Sequence, residues 1–365
     1  MPADPAPRRL LGGLASISVV VGAIIGVGVF ITPSDVAAIA GDPATTLLLW
    51  ALGGGIAICG ALSLAEVGVR FPASGGQIVA LHRMFGPLPA FLYGWCLLTA
   101  IQTGVLVIIT FFAARNLDVL LGAGWDAPSL KLVATGMLLA LAFANLRGVR
   151  SGAWVQTLTV AAKLLTIAAL VALGIGLFFL GSGKEPAGIP LPESFPPSVP
   201  LLAGLAAVLF SYGGFHQLTW VGGEVRNPAR TLPFSIVAGI LIVVAAYLAV
   251  NAAYFLLLPF GEVAASKSLA TDAVARVLPG IGAQAAALAL CVSAFGIANT
   301  SLLTAPRVYY ALAREGLFPG AFRNLDAKAG VPRAAILLQV LLALALLWWV
   351  GPDRMNPLVN GVVFV

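Results

Sequence analysis

Six stretches of this chain run without a single charged side chain for longer than a helix needs to cross a bilayer: Leu10–Ser34, Pro43–Ala65, Met84–Ala114, Ser194–Gly223, Thr231–Gly261 and Val277–Pro306. A hydrocarbon core takes about 20 apolar residues in helical form. Shorter runs at Leu132–Leu146 and Ala334–Pro352, and the segment Trp154–Leu180, complete a series of nine expected spans. Leu358–Val365 reads as the start of a tenth. Only 9% of the 365 residues are charged and 60% are apolar, too little charge to cover a soluble domain of this size. An all-α polytopic membrane protein is therefore expected, as one integral domain with short loops.

The net charge of +6 does not point to nucleic acid, because the basic residues sort by side. Threading the spans alternately puts Arg8, Arg9, Arg70, Arg83, Arg147, Arg150, Arg226, Arg230, Arg307, Arg314, Arg323, Lys328 and Arg333 together. Arg115, Lys131, Lys184, Lys267, Arg276 and Arg354 fall opposite. The positive-inside rule then places the N-terminus in the cytoplasm and the chain in the cytoplasmic membrane. The first apolar stretch is too long and too glycine-rich for a cleaved signal peptide. Cys59, Cys96 and Cys291 fall inside spans and are expected to be buried packing residues, so no disulfide-linked partner is expected. No cofactor or metal is expected, since the two histidines and the cysteines show no ligand spacing.

Two spans carry glycine clusters. The first reads GAIIGVGVFITP, with Gly22, Gly26, Gly28 and Pro33; the sixth reads LFSYGGF, with Gly213 and Gly214. Gly22 and Gly26, four apart, also fit close helix contact of the small-xxx-small kind. Gly28 and the adjacent Gly213–Gly214 fit that less well, and glycine lowers the cost of unwinding a helix. Breaks in spans one and six are what two inverted five-helix halves produce, with a substrate site between them. A broken helix exposes free N–H groups on one half and free carbonyls on the other. The N–H groups of Gly26, Val27 and Gly28 are expected to hold a carboxylate, and carbonyls near Ile24, Ile25 and Phe210–Gly213 an ammonium. A zwitterion is thus bound without any charged side chain. A nucleotide-loop reading of the same glycines lacks the strand and soluble βαβ unit it requires.

At these residues the chain resembles the amino acid–polyamine–organocation superfamily of transporters. Gly22–Pro33 resembles the span-one motif GxxIGxGIF. Ser211–Pro233 (SYGGFHQLTWVGGEVRNPARTLP) resembles the span-six break followed by an E-x-x-N-P-x-R-x-x-P loop. FPASGGQ (Phe71–Gln77), NLRGVRSGAWVQ (Asn145–Gln156) and PRVYYALAREGLFP (Pro306–Pro319) also resemble family segments. The L-type amino acid transporters and their bacterial relatives are the most similar branch. The resemblance implies a LeuT-type fold of five-plus-five inverted repeats with broken helices 1 and 6. The first repeat is expected at about residues 10–182 and the second at about 196–365, C-terminally incomplete in span ten. It implies substrate contacts at Ile24, Ile25, Gly26, Val27, Gly28, Phe210, Ser211 and Gly213, with Phe210 as an aromatic gate. Val27 stands where many relatives have Ser, and Phe215-His216 where Trp-Asn is common. The implied function is a permease moving amino acids by exchange or proton symport, with an amine antiporter or a non-transporting sensor as alternatives.

Lys163 lies deep in span five. A lysine there costs ~2.5–3.5 kcal/mol on insertion scales and usually marks a pathway; snorkelling to the interface is the other outcome. In relatives a span-five lysine sits beside the span-one break, so Lys163 is expected to stand in for a coupling cation. Glu66 and Glu224 fit either ion pairs with loop arginines or a cytoplasmic gate. His82 is expected at the interface, and His216 either lines the cavity or packs. Asn299, Thr300 and Ser301 either face the coupling site or join helices by hydrogen bonds. Membrane enzyme and channel readings lack, respectively, a convergent catalytic cluster and a filter or ring of charge.

Overall fold

A computed structural model describes residues 7–179 and 198–351. The expected tenth span, Lys184 and Arg354 lie outside the described residues.

Six helices among the described residues are long and apolar enough to cross a bilayer, and three apolar helices are shorter. Together they account for the nine expected spans. Span one is α1 (Gly13–Ile24) and α2 (Thr32–Ala40); span two is α3 (Pro43–Arg70). The segment after it forms the short α4 (Gly76–Phe85). Span three is α5 (Pro87–Cys96) continuing into α6 (Gln102–Leu121); spans four and five are α7 (Ala127–Leu146) and α8 (Val149–Phe179). Span six is α9 (Ser198–Ser211) and the short α10 (Gln217–Trp220); span seven is α11 (Pro228–Leu257). The connector after it holds two short helices, α12 (Phe260–Ala265) and α13 (Leu269–Val277). Span eight is α14 (Gly282–Thr304) with α15 (Pro306–Arg314), and span nine is α16 (Arg333–Trp349).

Local chemistry sets the helix starts. Asp42 accepts the Thr45 N–H at 2.8 Å ahead of α3, and Asp126 accepts the Ser129 N–H at 3.0 Å ahead of α7. Each cap is followed by a proline in the first turn, where a missing N–H loses no hydrogen bond. Span three carries one π turn, Leu97–Ile101, and the Thr103 hydroxyl donates to the Leu98 carbonyl at 2.5 Å across it. An extra residue in a helix is usually kept where it re-aims neighbouring side chains.

The helices form two groups joined by α8. In one, α11 packs on α1 and α3, and α3 packs on α9; in the other, α6 packs on α7, α14 and α16. Helix α8 touches α1, α7, α11 and α14. Glycines permit the close crossings: a Cβ on Gly53 would stand 2.4 Å from Val208, and one on Gly239 would stand 2.5 Å from Val20. In lipid, such close contact and buried hydrogen bonds hold helices together, because apolar burial alone favours neither helix nor lipid. The buried hydrogen bonds are present where the groups meet. Asn299 on α14 donates to the Gly152 carbonyl at 3.0 Å and to Gln156 at 2.8 Å, and accepts from Asn145 at 3.0 Å. Asn299 is therefore helix–helix glue. The Thr300 hydroxyl bonds back to the Gly296 carbonyl of its own helix at 2.9 Å.

The cysteine expectation needs correction. Cys59 and Cys96 are exposed and only Cys291 is half-buried. Their spans turn one face outward, as Leu52, Ile56 and Leu62 on α3 and Trp95 on α5 also show. Membrane depth does not distinguish a lipid-facing thiol from a packed one.

Candidate substrate site at the paired helix breaks

Helix α1 stops at Ile24, and Ile25 turns out of it at φ −70° and ψ 96°. A single 3₁₀ turn, Gly28–Phe30, follows before α2 begins at Thr32. The outer helix thus starts later than the Gly26–Gly28 expected from the glycines. Pro33 lies in the first turn of α2, so it opens the outer half and does not break the inner one. Among the described residues, the N–H groups of Gly26, Val27 and Gly28 donate to no carbonyl or side chain. Gly22 serves contact instead, since a Cβ there would overlap the Gln156 amide.

Helix α9 stops at Ser211, and Tyr212–His216 turn before α10. The two glycines of this break do different work. Gly214 adopts φ 113°, a left-handed value that a side chain resists, and a Cβ there would stand 2.4 Å from the Ala23 carbonyl oxygen. Gly214 therefore lets the two breaks touch. The Gly213 N–H closes a turn onto the Phe210 carbonyl at 2.9 Å. Across the gap, a Cβ on Gly28 would lie 4.0 Å from the Ser211 hydroxyl oxygen.

Two side chains reach the freed carbonyls. The Tyr247 hydroxyl on α11 lies 3.1 Å from the Ile24 carbonyl and 3.2 Å from the Ser211 carbonyl, so one proton serves the ends of both broken helices. Tyr247 is itself wedged against Trp50 and Tyr212, with ring centroids 5.3 and 5.1 Å away. The Lys163 ammonium donates to the Ile25 carbonyl at 2.5 Å, and Lys163 is buried. Its head points into the protein and does not snorkel. Gly296 on α14 makes room for it: a Cβ there would stand 3.1 Å from the ammonium nitrogen. Neither Tyr247 nor Gly296 figured in the sequence reading. The available signal was a phenol at the centre of a charge-free span, where a hydroxyl must find a protein partner.

Tyr247→Phe tests this bridge. Its loss leaves two carbonyls at the break without their donor and is expected to reduce stability by about 0.5–1.5 kcal/mol. Thermal unfolding of the purified protein in detergent reads it; an unchanged midpoint would show that the hydroxyl bridges nothing.

Of the expected residues, Ile24 to Gly28 and Ser211 to Gly213 come together at the gap. Phe210 is 52% exposed, so it is not shut over the breaks in this conformation. The inner halves are tied to the second helix group. The Glu224 carboxylate pairs with the Arg307 guanidinium at 2.9 Å, both 1% exposed. The Gln217 side-chain oxygen accepts from Thr304 at 3.0 Å, and the Leu10 and Leu11 N–H groups donate to the Glu224 carbonyl at 2.8 and 2.9 Å. The outer halves α2 and α9 instead pack on each other, with α3 against both and α12 against α2. Glu66 makes only an exposed pair with Arg70, and His82 pairs with Glu315 at 2.9 Å. The His216 ring packs edge-on against Trp220, with centroids 5.1 Å apart.

Helices broken at spans one and six, facing each other across a bundle held by a second helix group, define a transporter of the LeuT fold. Solved structures bear out the fold. The chain superposes on Mhp1, a nucleobase-cation-symport-1 family transporter bound to bromovinylhydantoin, with a TM-score of 0.63 at 14% identity over 100% of this chain and 80% of that one. MhsT in complex with L-phenylalanine gives a TM-score of 0.62 at 17% identity over 98% and 86%. Residues 11–364 match the amino acid permease family, and the chain belongs to it. It is 30% identical to the serine/threonine exchanger SteT of Bacillus subtilis over 99% of this chain and 82% of that protein. It is 31% identical to the b(0,+)-type amino acid transporter 1 of Mus musculus over 98% and 73%. It is 32% identical to the large neutral amino acids transporter small subunit 2 of Homo sapiens over 98% and 67%.

Proposed function

We propose that the chain carries amino acids across the cytoplasmic membrane by alternating access, as an exchanger or a proton-coupled symporter, and that it is not an enzyme. The observation that carries this reading is the trio of N–H groups at Gly26, Val27 and Gly28, without a partner among the described residues and close to the ends of two broken helices. The trio receives the substrate carboxylate. The carbonyls around Ile24, Ile25 and Phe210–Gly213 receive the ammonium, with Ser211 facing the gap. Recognition is thus by the main-chain part of the substrate, and it suits relatives named for quite different amino acids. Lys163, bonded to the Ile25 carbonyl, is the coupling residue: a change in its charge is felt directly at the break. The N-terminus lies in the cytoplasm, by the distribution of Arg and Lys, and the chain forms one integral domain.

The test is a thermal-shift screen of the purified protein against L-amino acids and polyamines, followed by counterflow of each hit in proteoliposomes. Stabilisation by small neutral amino acids and their uptake against a preloaded amino acid are expected. Stabilisation by no amine at all would overturn the reading, and binding without counterflow would make the chain a sensor.

A further inference from the structure

A second concave site lies away from the breaks. A cavity of about 580 Å³ is lined by Phe143 and Leu146 of α7, Arg147 at its end, Lys328 in the connector before α16, and Arg333 and Leu337 of α16. None of these belongs to α1, α2, α9 or α10.

Three cations around one cavity repel each other unless something negative joins them. Asp326 meets part of that need. Its carboxylate accepts the Ala329 N–H at 2.7 Å and the Lys328 N–H at 3.1 Å, and pairs with Arg333 at 3.0 Å. The Ala329 hydrogen bond is the main reason its carboxyl is held below the usual range, with the Arg333 and Lys328 charges adding to it. One carboxylate, saturated in this way, offsets one cation. Neither Arg147 nor Lys328 has a carboxylate within salt-bridge distance among the described residues. The Arg147 guanidinium lies over the Phe143 ring, 4.5 Å from its centroid, at the end of the span. Beyond the cations the walls turn apolar and outward: Phe143 is 59% and Leu337 53% exposed, on two helices that pack together.

We propose that this cavity binds an anionic phospholipid. Its phosphate sits between Arg147 and Lys328, with Arg333 alongside, and its acyl chains run along Phe143 and Leu337. Cations at helix ends with an exposed apolar groove beside them match a charged headgroup with chains attached; a free anion would use only the first half. The three basic residues lie on the Arg-rich side of the protein, so the lipid belongs to the leaflet that those loops face, where basic clusters recognise acidic headgroups.

Electron spin resonance of labelled lipids around the reconstituted protein reads the preference. Phosphatidylglycerol is expected to associate several-fold more strongly than phosphatidylcholine, and Arg147→Gln/Lys328→Gln to bring that ratio close to one. Arg83→Gln/Arg230→Gln, which removes two exposed charges from the same side but outside the cavity, should leave most of the preference intact. Equal loss in both variants, or no preference in the unsubstituted protein, overturns the proposal. Displacement of the labelled lipid by inorganic phosphate beyond an equal ionic strength of chloride also overturns it, in favour of a free-anion site. If the double variant does not fold, native mass spectrometry of the unsubstituted protein decides: a phosphatidylglycerol molecule retained through washing with phosphatidylcholine micelles supports the site, and none retained refutes it.

Discussion

Lys163→Met is expected to reduce amino acid exchange at least ~10-fold while the protein still folds and elutes as a single species. The substitution keeps an unbranched side chain of similar volume but removes the donor to the Ile25 carbonyl. A hydrogen bond from a charged donor contributes ~1.5–3 kcal/mol, or roughly 10- to 100-fold in an equilibrium or rate. The residue that loses its donor belongs to the proposed substrate gap, so the deficit should fall on transport more than on stability. Counterflow in proteoliposomes at several pH values separates the two roles assigned to Lys163. A coupling residue leaves residual uptake that no longer responds to pH, whereas a purely structural one scales the whole profile down. Uptake with an unchanged rate and pH profile would remove Lys163 from the mechanism.

Breaking the pair of Glu224 and Arg307 should produce the largest loss of stability. Arg307→Met leaves a carboxylate buried without its cation, a change that costs ~3–5 kcal/mol in soluble proteins. Glu224→Gln should be milder, because a neutral amide still bonds to the guanidinium. The double variant Glu224→Gln/Arg307→Met should recover much of the loss, since the stranded charge is gone. Thermal unfolding of the four proteins in detergent forms the cycle. Additive losses would show that the two groups do not act as a pair. The pair ties the end of span six to span eight, on the side that the proposed orientation turns to the cytoplasm, so under that proposal it must separate when that side opens. A variant that opens easily there is also expected to bind substrate more weakly from the opposite side, through the fraction of molecules left in a competent state.

Much of the candidate site is local chemistry and was legible along the chain. Glycines at 26 and 28, and at 213 and 214, mark where a helix can be interrupted, because tolerance of unusual φ is a property of the residue itself. Even so, the bounds shifted. The outer half of span one begins at Thr32, behind a 3₁₀ turn that the glycine spacing does not encode. Gly214 proved to need both its positive φ and its missing Cβ, the second because the Ala23 carbonyl of another helix lies against it. Lys163 could be suspected from its depth, but snorkelling and burial look alike in a sequence. The choice was made by Gly296, more than a hundred residues further on, which leaves space for the ammonium.

By itself, the sequence determined that this chain is a membrane protein of about nine described spans, with interruptions in the first and sixth. Those properties follow from charge-free length and glycine placement, both of which act within a span. Only the tertiary structure decided what the interruptions face. It set Tyr247 between two carbonyls from different helices, buried Glu224 against Arg307, and turned Cys59 and Cys96 outward. The physical reason is common to all three: the energy of a hydrogen bond, an ion pair or a close contact depends on a partner brought near by folding, and a pattern within one span carries no record of it.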